Sequence, residues 1–315
     1  MIRLLARKVA EAVPILLLVS LGAAALTDLI PQSPGRMILG EFATEERVAE
    51  LDAKLGVDDP FVDRYWRWLS GALRGDLGES WVARQPVTST VLDSLWPTLE
   101  IAIVTLVVSL VLSIGAALIA ARRADGLVDR SVSGVAAAFQ AIPSFVGAVF
   151  LTHLLAVEFR VLPSLGWTPI GDGLGDHMKT LLMPVAVLTA VTAPILYRVL
   201  RADMLDVMQQ DYVLSARARG LSEGYVLLRH ILRPASRSLL TMTGLMFGFL
   251  VGGSIIVETF YTVPGLGSLV SRSIGNQDVI VVQGIVLYVA IAYLLINLVV
   301  DLLQTVLDPR LRHAT

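Results

Sequence analysis

The residues with the sharpest chemical potential lie in the run Asp211-Tyr212-Val213-Leu214-Ser215-Ala216-Arg217-Ala218-Arg219-Gly220-Leu221-Ser222. Residues 211–219 are good helix formers, and Gly220 suits the left-handed position just past a helix end. Ser222 can cap a following helix, with Glu223 near its positive end. The pattern predicts a short helix, a glycine turn and a second helix. Ala216 and Ala218 are small enough to let another protein approach closely, and Arg217 and Arg219 offer charge to a carboxylate on it. The chemistry on offer is docking, and a solvated basic loop is the plainer alternative.

Two further groups invite a role. Gly244, Gly248 and Gly252 recur at four-residue spacing, so they share one helical face and permit close helix approach. That face is either static packing or a seam that slides. Glu100, Gln140, His153, Glu258, Gln283, Asn297 and Asp301 interrupt or border apolar stretches, where burying a polar group in lipid is costly. Glu100 and Asp301 read as interfacial or structural. Gln140 and His153 could face a pathway, and helical phase alone does not decide it. Glu258 stands beside the turn Tyr261-Thr262-Val263-Pro264-Gly265.

Bond chemistry finds little support. The chain has no cysteine, which excludes disulfides, thiolate metal sites and cysteine nucleophiles. Its four histidines, His153, His177, His230 and His313, are scattered, and no second strong ligand lies at a suitable spacing from His153. No Gly-x-Ser-x-Gly motif accompanies His153, so an intramembrane hydrolase lacks its nucleophile and base. A phosphate-cradling loop needs Gly-Lys before Ser or Thr. Lys8, Lys54 and Lys179 are the only lysines and none follows a glycine. Neither a catalytic residue nor a metal site is predicted.

Composition says what positions these residues. Charged residues make up 17% and hydrophobic residues 55%, with a mean hydropathy of +0.71. Ordinary soluble domains carry about 25% charge and about 45–50% apolar residues, so a membrane protein is expected. A net charge of −2 argues against nucleic acid as a partner. A membrane-crossing helix needs about 20 apolar residues. Stretches free of Asp, Glu, Lys and Arg run 12–27, 101–121, 131–157, 180–197, 238–257 and 279–300, giving six predicted spans. Pro143, Pro184 and Pro194 would kink or locally break the third and fourth. The first stretch could instead be a cleaved signal peptide ending near Ala23-Ala24-Ala25, but five further spans make an uncleaved anchor simpler. With the N-terminus inside, fifteen of the 25 basic residues fall on the cytoplasmic side, Arg122, Arg123, Arg198, Arg201, Arg310 and Arg312 among them. The positive-inside rule then places both termini in the cytoplasm. There is no duplicated half of the kind that builds many secondary transporters.

The layout is an anchor helix with an external segment over 1–97, then a five-helix region over 98–315 with its largest cytoplasmic loop at 198–237. The external segment holds Trp66, Trp68, Trp81 and Trp96. Phe61 to Leu69 reads as an amphipathic helix at the headgroup zone. The alternative is a protein-docking platform, to which Glu45, Glu46, Asp58 and Asp59 could add steering charge.

The run Asp211–Gly220, followed by Arg229-His230-Ile231-Leu232-Arg233-Pro234-Ala235, resembles the coupling loop of ABC-importer permeases. Where the general family signature starts Glu-Ala-Ala, this chain has Leu214-Ser215-Ala216, which resembles the dipeptide/oligopeptide/nickel branch. Collinear matches extend the resemblance: Leu55-Gly56-Val57-Asp58-Asp59-Pro60, Gly75-Asp76-Leu77-Gly78-Glu79-Ser80, Pro97-Thr98-Leu99, Ile142-Pro143-Ser144-Phe145, Gly252 to Phe260, Pro264-Gly265-Leu266-Gly267, and Leu307-Asp308-Pro309-Arg310. The resemblance implies an all-α type I importer permease fold in a bacterial plasma membrane, and the N-terminal extension implies the first of two permease subunits. It also implies a heterodimer with a second permease, two ATPases that hold the ATP and Mg, and an extracytoplasmic solute-binding protein. The loop around Ala216–Gly220, including Asp211, Tyr212, Ser215, Arg217, Ala218, Arg219 and Leu221, would dock on the ATPase. The face of Gly244, Gly248 and Gly252 would lie near the permease seam. Gln140, His153, Glu258, Pro264 and Gly265 would be candidates for the pathway or outer gate, Glu258 as a contact for a peptide amine. Cargo within the branch includes dipeptides, oligopeptides, nickel and glutathione.

Overall fold

A computed structural model describes residues 2–25, 33–40 and 42–307. The C-terminal Asp308-Pro309-Arg310 match and the basic Arg310 and Arg312 lie outside them. The chain forms two compact units, residues 1–98 with 264–295, and residues 99–263 with 296–315. Among the described residues there is no strand, only an isolated bridge between Glu79 and Pro86.

The first unit contains α1 (Ile2–Ala25), α2 (Pro34–Leu39), α3 (Glu45–Leu55) and α4 (Phe61–Ala72). It also takes the start of α5 (Val87–Ala121), α12 (Leu266–Gly275) and most of α13 (Val279–Leu307). Its core joins Leu77, Val87, Val91, Leu266, Leu269, Val281 and Ile285, with Trp68 and Ala72 of α4 packed against it. Gly284 is required there, because a Cβ would stand 2.7 Å from Val87 Cγ1. The Gly75–Ser80 run is fastened by the buried Ser80 hydroxyl, which donates to the Asp278 carboxylate. This bond, between residues 198 apart in sequence, ties the segment before α5 to the start of α13.

The second unit contains the rest of α5, α6 (Leu127–Ala141), α7 (Ser144–Glu158), α8 (Leu174–Met208), α9 (Asp211–Ala218), α10 (Glu223–Gly253) and α11 (Ile255–Tyr261). Among the described residues four helices are long and apolar enough to cross a membrane: α5, α8, α10 and α13. The predicted third span is the pair α6 and α7, bent by 94° at Ile142-Pro143. Proline lacks a donor and pushes the residue before it to an extended conformation, and Ile142 duly has ψ 118°. In α1 the apolar part, Ala10–Ala25, is shorter than these helices.

Pro184 and Pro194 behave otherwise. Of the expected kink or local break, the break does not occur at either: α8 runs unbroken for 35 residues and reaches well beyond the predicted 180–197. Neighbouring hydroxyls supply bonds around Pro194, as membrane helices allow. Ser113 Oγ donates to the Ala193 carbonyl at 2.8 Å, Thr192 Oγ1 donates to Leu188 O at 2.9 Å, and the Ser109 and Thr192 hydroxyls meet at 2.5 Å. Helix α8 also packs on α6, α7 and α10, so tertiary contacts hold what local propensity would interrupt.

Candidate docking and pathway elements

The docking element is built from backbone geometry upward. Helix α9 ends at Ala218, and Gly220 takes φ +75°. That left-handed conformation costs glycine nothing. Gly220 N–H donates to Arg217 O at 2.9 Å and Leu221 N–H to Ala216 O at 3.4 Å. This pair of bonds is a Schellman closure, which satisfies carbonyls the helix would otherwise leave orphaned. A Cβ on Gly220 would meet open space, so conformation alone calls for glycine here. Ser222 occupies the capping position before α10 with extended backbone, although its hydroxyl makes no capping bond.

Side chains divide by face. Val213 and Ala216 are buried against the chain itself, α9 packing on α8 and α10. Ala216 therefore serves its own unit, contrary to the expectation that it admits another protein, because helical phase turns it to the same side as Val213. Tyr212, Leu214, Ser215, Ala218, Arg219, Gly220 and Leu221 face outward, as do Tyr225 and Leu228 of α10, and Asp211 at the start of α9 is exposed too. Arg217 is engaged within the chain as well. Its guanidinium pairs with Glu223 across the glycine turn, at 2.7 Å and 3.2 Å. Arg219 is the arginine that stays outward. The surface left around the turn mixes the apolar and aromatic Tyr212, Leu214, Ala218 and Leu221 with Asp211, Ser215 and Arg219.

The glycine face of α10 is mixed. At Gly244 a Cβ would stand 3.1 Å from Asn297 Oδ1 and 3.2 Å from Val300 Cγ2, so this residue allows the end of α13 to approach. Gly248 is half-buried. Gly252 is exposed and a Cβ there would touch nothing within 4 Å.

The pathway candidates are not gathered in one place. Gln140 is half-buried just before the α6–α7 break. His153 is exposed, with Nε2 at 3.6 Å from Glu158. Glu258 is fully buried and its carboxylate accepts the Ser254 hydroxyl at 2.6 Å, while its backbone carbonyl takes Val263 N–H at 2.8 Å. Thr262, with φ +58°, closes α11; Pro264 is exposed and Gly265 is the residue just before α12 in the other unit. Among the described residues no group of three His, Cys, Asp or Glu could hold a metal ion.

Two polar arrangements bring together residues that the sequence alone does not pair. His177 on α8 holds Nε2 at 2.7 Å from Glu100 of α5 and Nδ1 at 2.7 Å from Thr168 O, with the Trp167 ring edge-on at 5.2 Å. A carbonyl only accepts, so Nδ1 carries a hydrogen and a second proton lies between imidazole and carboxyl. Toward the other end of α8, Arg201 donates Nε and Nη2 to Asp129 at 2.6 Å each, and Asp125 N–H adds a third bond at 2.9 Å. These clusters join α8 to α5 and to α6.

Residues 113–313 match the family of binding-protein-dependent transport system inner membrane components, and residues 1–102 match the N-terminal region of such components. A protein of Brucella abortus (strain 2308) named as a peptide transport system permease is 34% identical over 313 residues, covering 99% of this chain and 100% of the relative. The glutathione transport system permease protein of Escherichia coli O6:H1 (strain CFT073) is 35% identical over 301 residues, 96% of each chain. Among solved structures, inward-facing forms of the MetNI methionine ABC transporter match with TM-scores of 0.54 and 0.56 at 18% and 20% identity, over 69% and 70% of this chain and 96% of theirs. At that identity the likeness shows the fold.

Proposed function

This chain belongs to the family of binding-protein-dependent transport system inner membrane components, and on that premise we propose how it works as a permease subunit. It forms half of a translocation pathway for peptides or similar small solutes, the cargo named for its relatives in Brucella and Escherichia. Helix α1 and the bent α6–α7 pair each count as one span, giving six with both termini in the cytoplasm. A second, homologous permease completes the heterodimer. Two ATPases hold the ATP and Mg, and an external binding protein delivers the cargo. The chain itself makes and breaks no bond.

The observation that carries this reading is the α9 turn: its backbone is closed on itself while Tyr212, Leu214, Ser215, Ala218, Arg219 and Leu221 stay exposed. A partner ATPase would seat on Tyr212, Leu214, Ser215, Ala218, Arg219 and Leu221. Val213 and Ala216 fasten α9 to α8 and α10, so motion of the ATPase passes into those helices. Helix α8 is unbroken. At the usual helical rise it is about 50 Å long, which suits it to carry a displacement the full depth of the unit. Gly252 supports a seam with the second permease, whereas Gly244 supports internal packing. Gln140, His153, Glu258, Pro264 and Gly265 stay as candidates for the pathway or outer gate.

The test is Gly220→Glu in the assembled transporter. A left-handed φ costs an L-residue about 1–2 kcal/mol, and the new carboxylate changes the docking face. Uptake should fall at least tenfold while the complex still assembles, and Gly220→Asn, which tolerates that φ better, should retain more. Undiminished, normally coupled uptake in Gly220→Glu would sink the assignment.

A further inference from the structure

Helix α4 presents three faces. Tyr65, Trp68 and Ala72 turn into the first unit: Trp68 and Ala72 pack on its core, and Tyr65 Oη meets Ser20 Oγ of α1 at 2.8 Å. Asp63, Arg64, Arg67 and Ser70 form a polar face, where Arg67 pairs with Asp59 and Arg64 donates to Val57 O at 2.6 Å. Val62, Trp66, Leu69 and Leu73 follow the i, i+4, i+7, i+11 spacing of a single stripe. Of these, Val62 is 70%, Trp66 67% and Leu73 81% exposed. Such an uncovered stripe on a helix already anchored on another side needs an occupant.

The contact with α1 says which. Ser20 lies five residues before Ala25, the last described residue of α1, a helical rise of about 7.5 Å. Around it Leu17, Leu18 and Leu21 are exposed on the apolar Ala10–Ala25 segment. The Ser20–Tyr65 bond therefore sets α4, with its exposed Val62–Leu73 stripe, alongside the apolar part of α1, where Leu17, Leu18 and Leu21 are exposed too. We propose that α4 lies in the bilayer boundary at the Ala25 end of α1, with Val62, Trp66, Leu69 and Leu73 in lipid and Asp63 and Arg67 in water. Helices α1 and α4 then form one membrane element. An amphipathic helix in such a boundary buries its apolar face about 5–10 Å deep, the same scale as the offset of Ser20, and tryptophan favours that zone.

The absence of cysteine makes the test direct. Single cysteines at Val62, Trp66, Asp63 and Arg67 in the assembled transporter, in phospholipid nanodiscs, would carry nitroxide labels. Collision with oxygen reports lipid, and collision with a water-soluble nickel chelate reports solvent. Labels at 62 and 66 should favour oxygen by several-fold, and labels at 63 and 67 should favour nickel. Nickel access at all four positions would overturn the proposal. So would labels at 62 and 66 that are nickel-accessible until the external binding protein is added, which would mark the stripe as a protein platform.

Discussion

At the Leu174 end of α8, His177 is enclosed: both ring nitrogens have partners, Trp167 covers the ring, and Glu100 and Thr168 come from other segments. At the Met208 end, α9 closes its backbone, packs Val213 and Ala216 inward and pairs Arg217 with Glu223, but turns Tyr212, Leu214, Ala218 and Arg219 outward. The enclosed site uses its polar groups to hold helices together, so its loss should be felt as instability. The open site leaves side chains unmatched, so its loss should be felt as failed docking with the fold intact. The same contrast recurs within α10, between Gly244, packed against α13, and Gly252, which faces open space.

The largest effect should come from the enclosed site. Glu100→Ala leaves a buried imidazole nitrogen without its partner, which costs about 1–3 kcal/mol. Thermal unfolding of the purified complex should show a lowered midpoint, and an unchanged midpoint would erase the contrast between the two ends of α8. Next is the glycine pair. Gly244→Leu drives carbon into Asn297 and Val300, an overpacking worth about 1–3 kcal/mol. Gly252→Leu should leave the stability of this subunit within about 0.5 kcal/mol yet weaken pairing with the second permease, read as dissociation of the two on native gels. Smallest is Arg217→Ala. Its pair with Glu223 is solvent-exposed and worth about 0.5 kcal/mol, so stability and uptake should both stay near wild type, in contrast to Arg219→Glu on the docking face.

Much of this architecture was legible in the chain because its determinants are local. Long apolar stretches can only be helices in lipid, Pro143 breaks the third, and Gly220 announces a left-handed helix end. The amphipathic 61–69 run became α4 for the same reason. What escaped depends on neighbours distant in sequence. Pro184 and Pro194 leave α8 unbroken within a packed bundle, where Ser113, 80 residues from Ala193, bonds next to Pro194. Ala216 turns inward because α8 and α10 supply a surface for Val213 and it together, which composition cannot reveal. Glu223 claims Arg217 because the Schellman turn folds it back. The Glu100–His177 pair carried one usable signal: in the predicted topology both residues fall at the same face of the membrane, at the ends of the second and fourth spans. Even so, nothing in a 77-residue separation states that they touch.

The central claim is that α9 docks a partner ATPase through its outward face alone. Its most direct test uses the cysteine-free chain with single cysteines at Ser215, Ala218 and Val213, assembled with its ATPase and treated with a short, thiol-to-amine crosslinker. Docking through the outward face predicts crosslinked permease–ATPase product from positions 215 and 218 and none from the buried position 213. Equal product from all three positions, or none from 215 and 218 in an assembled and transport-competent complex, would contradict it.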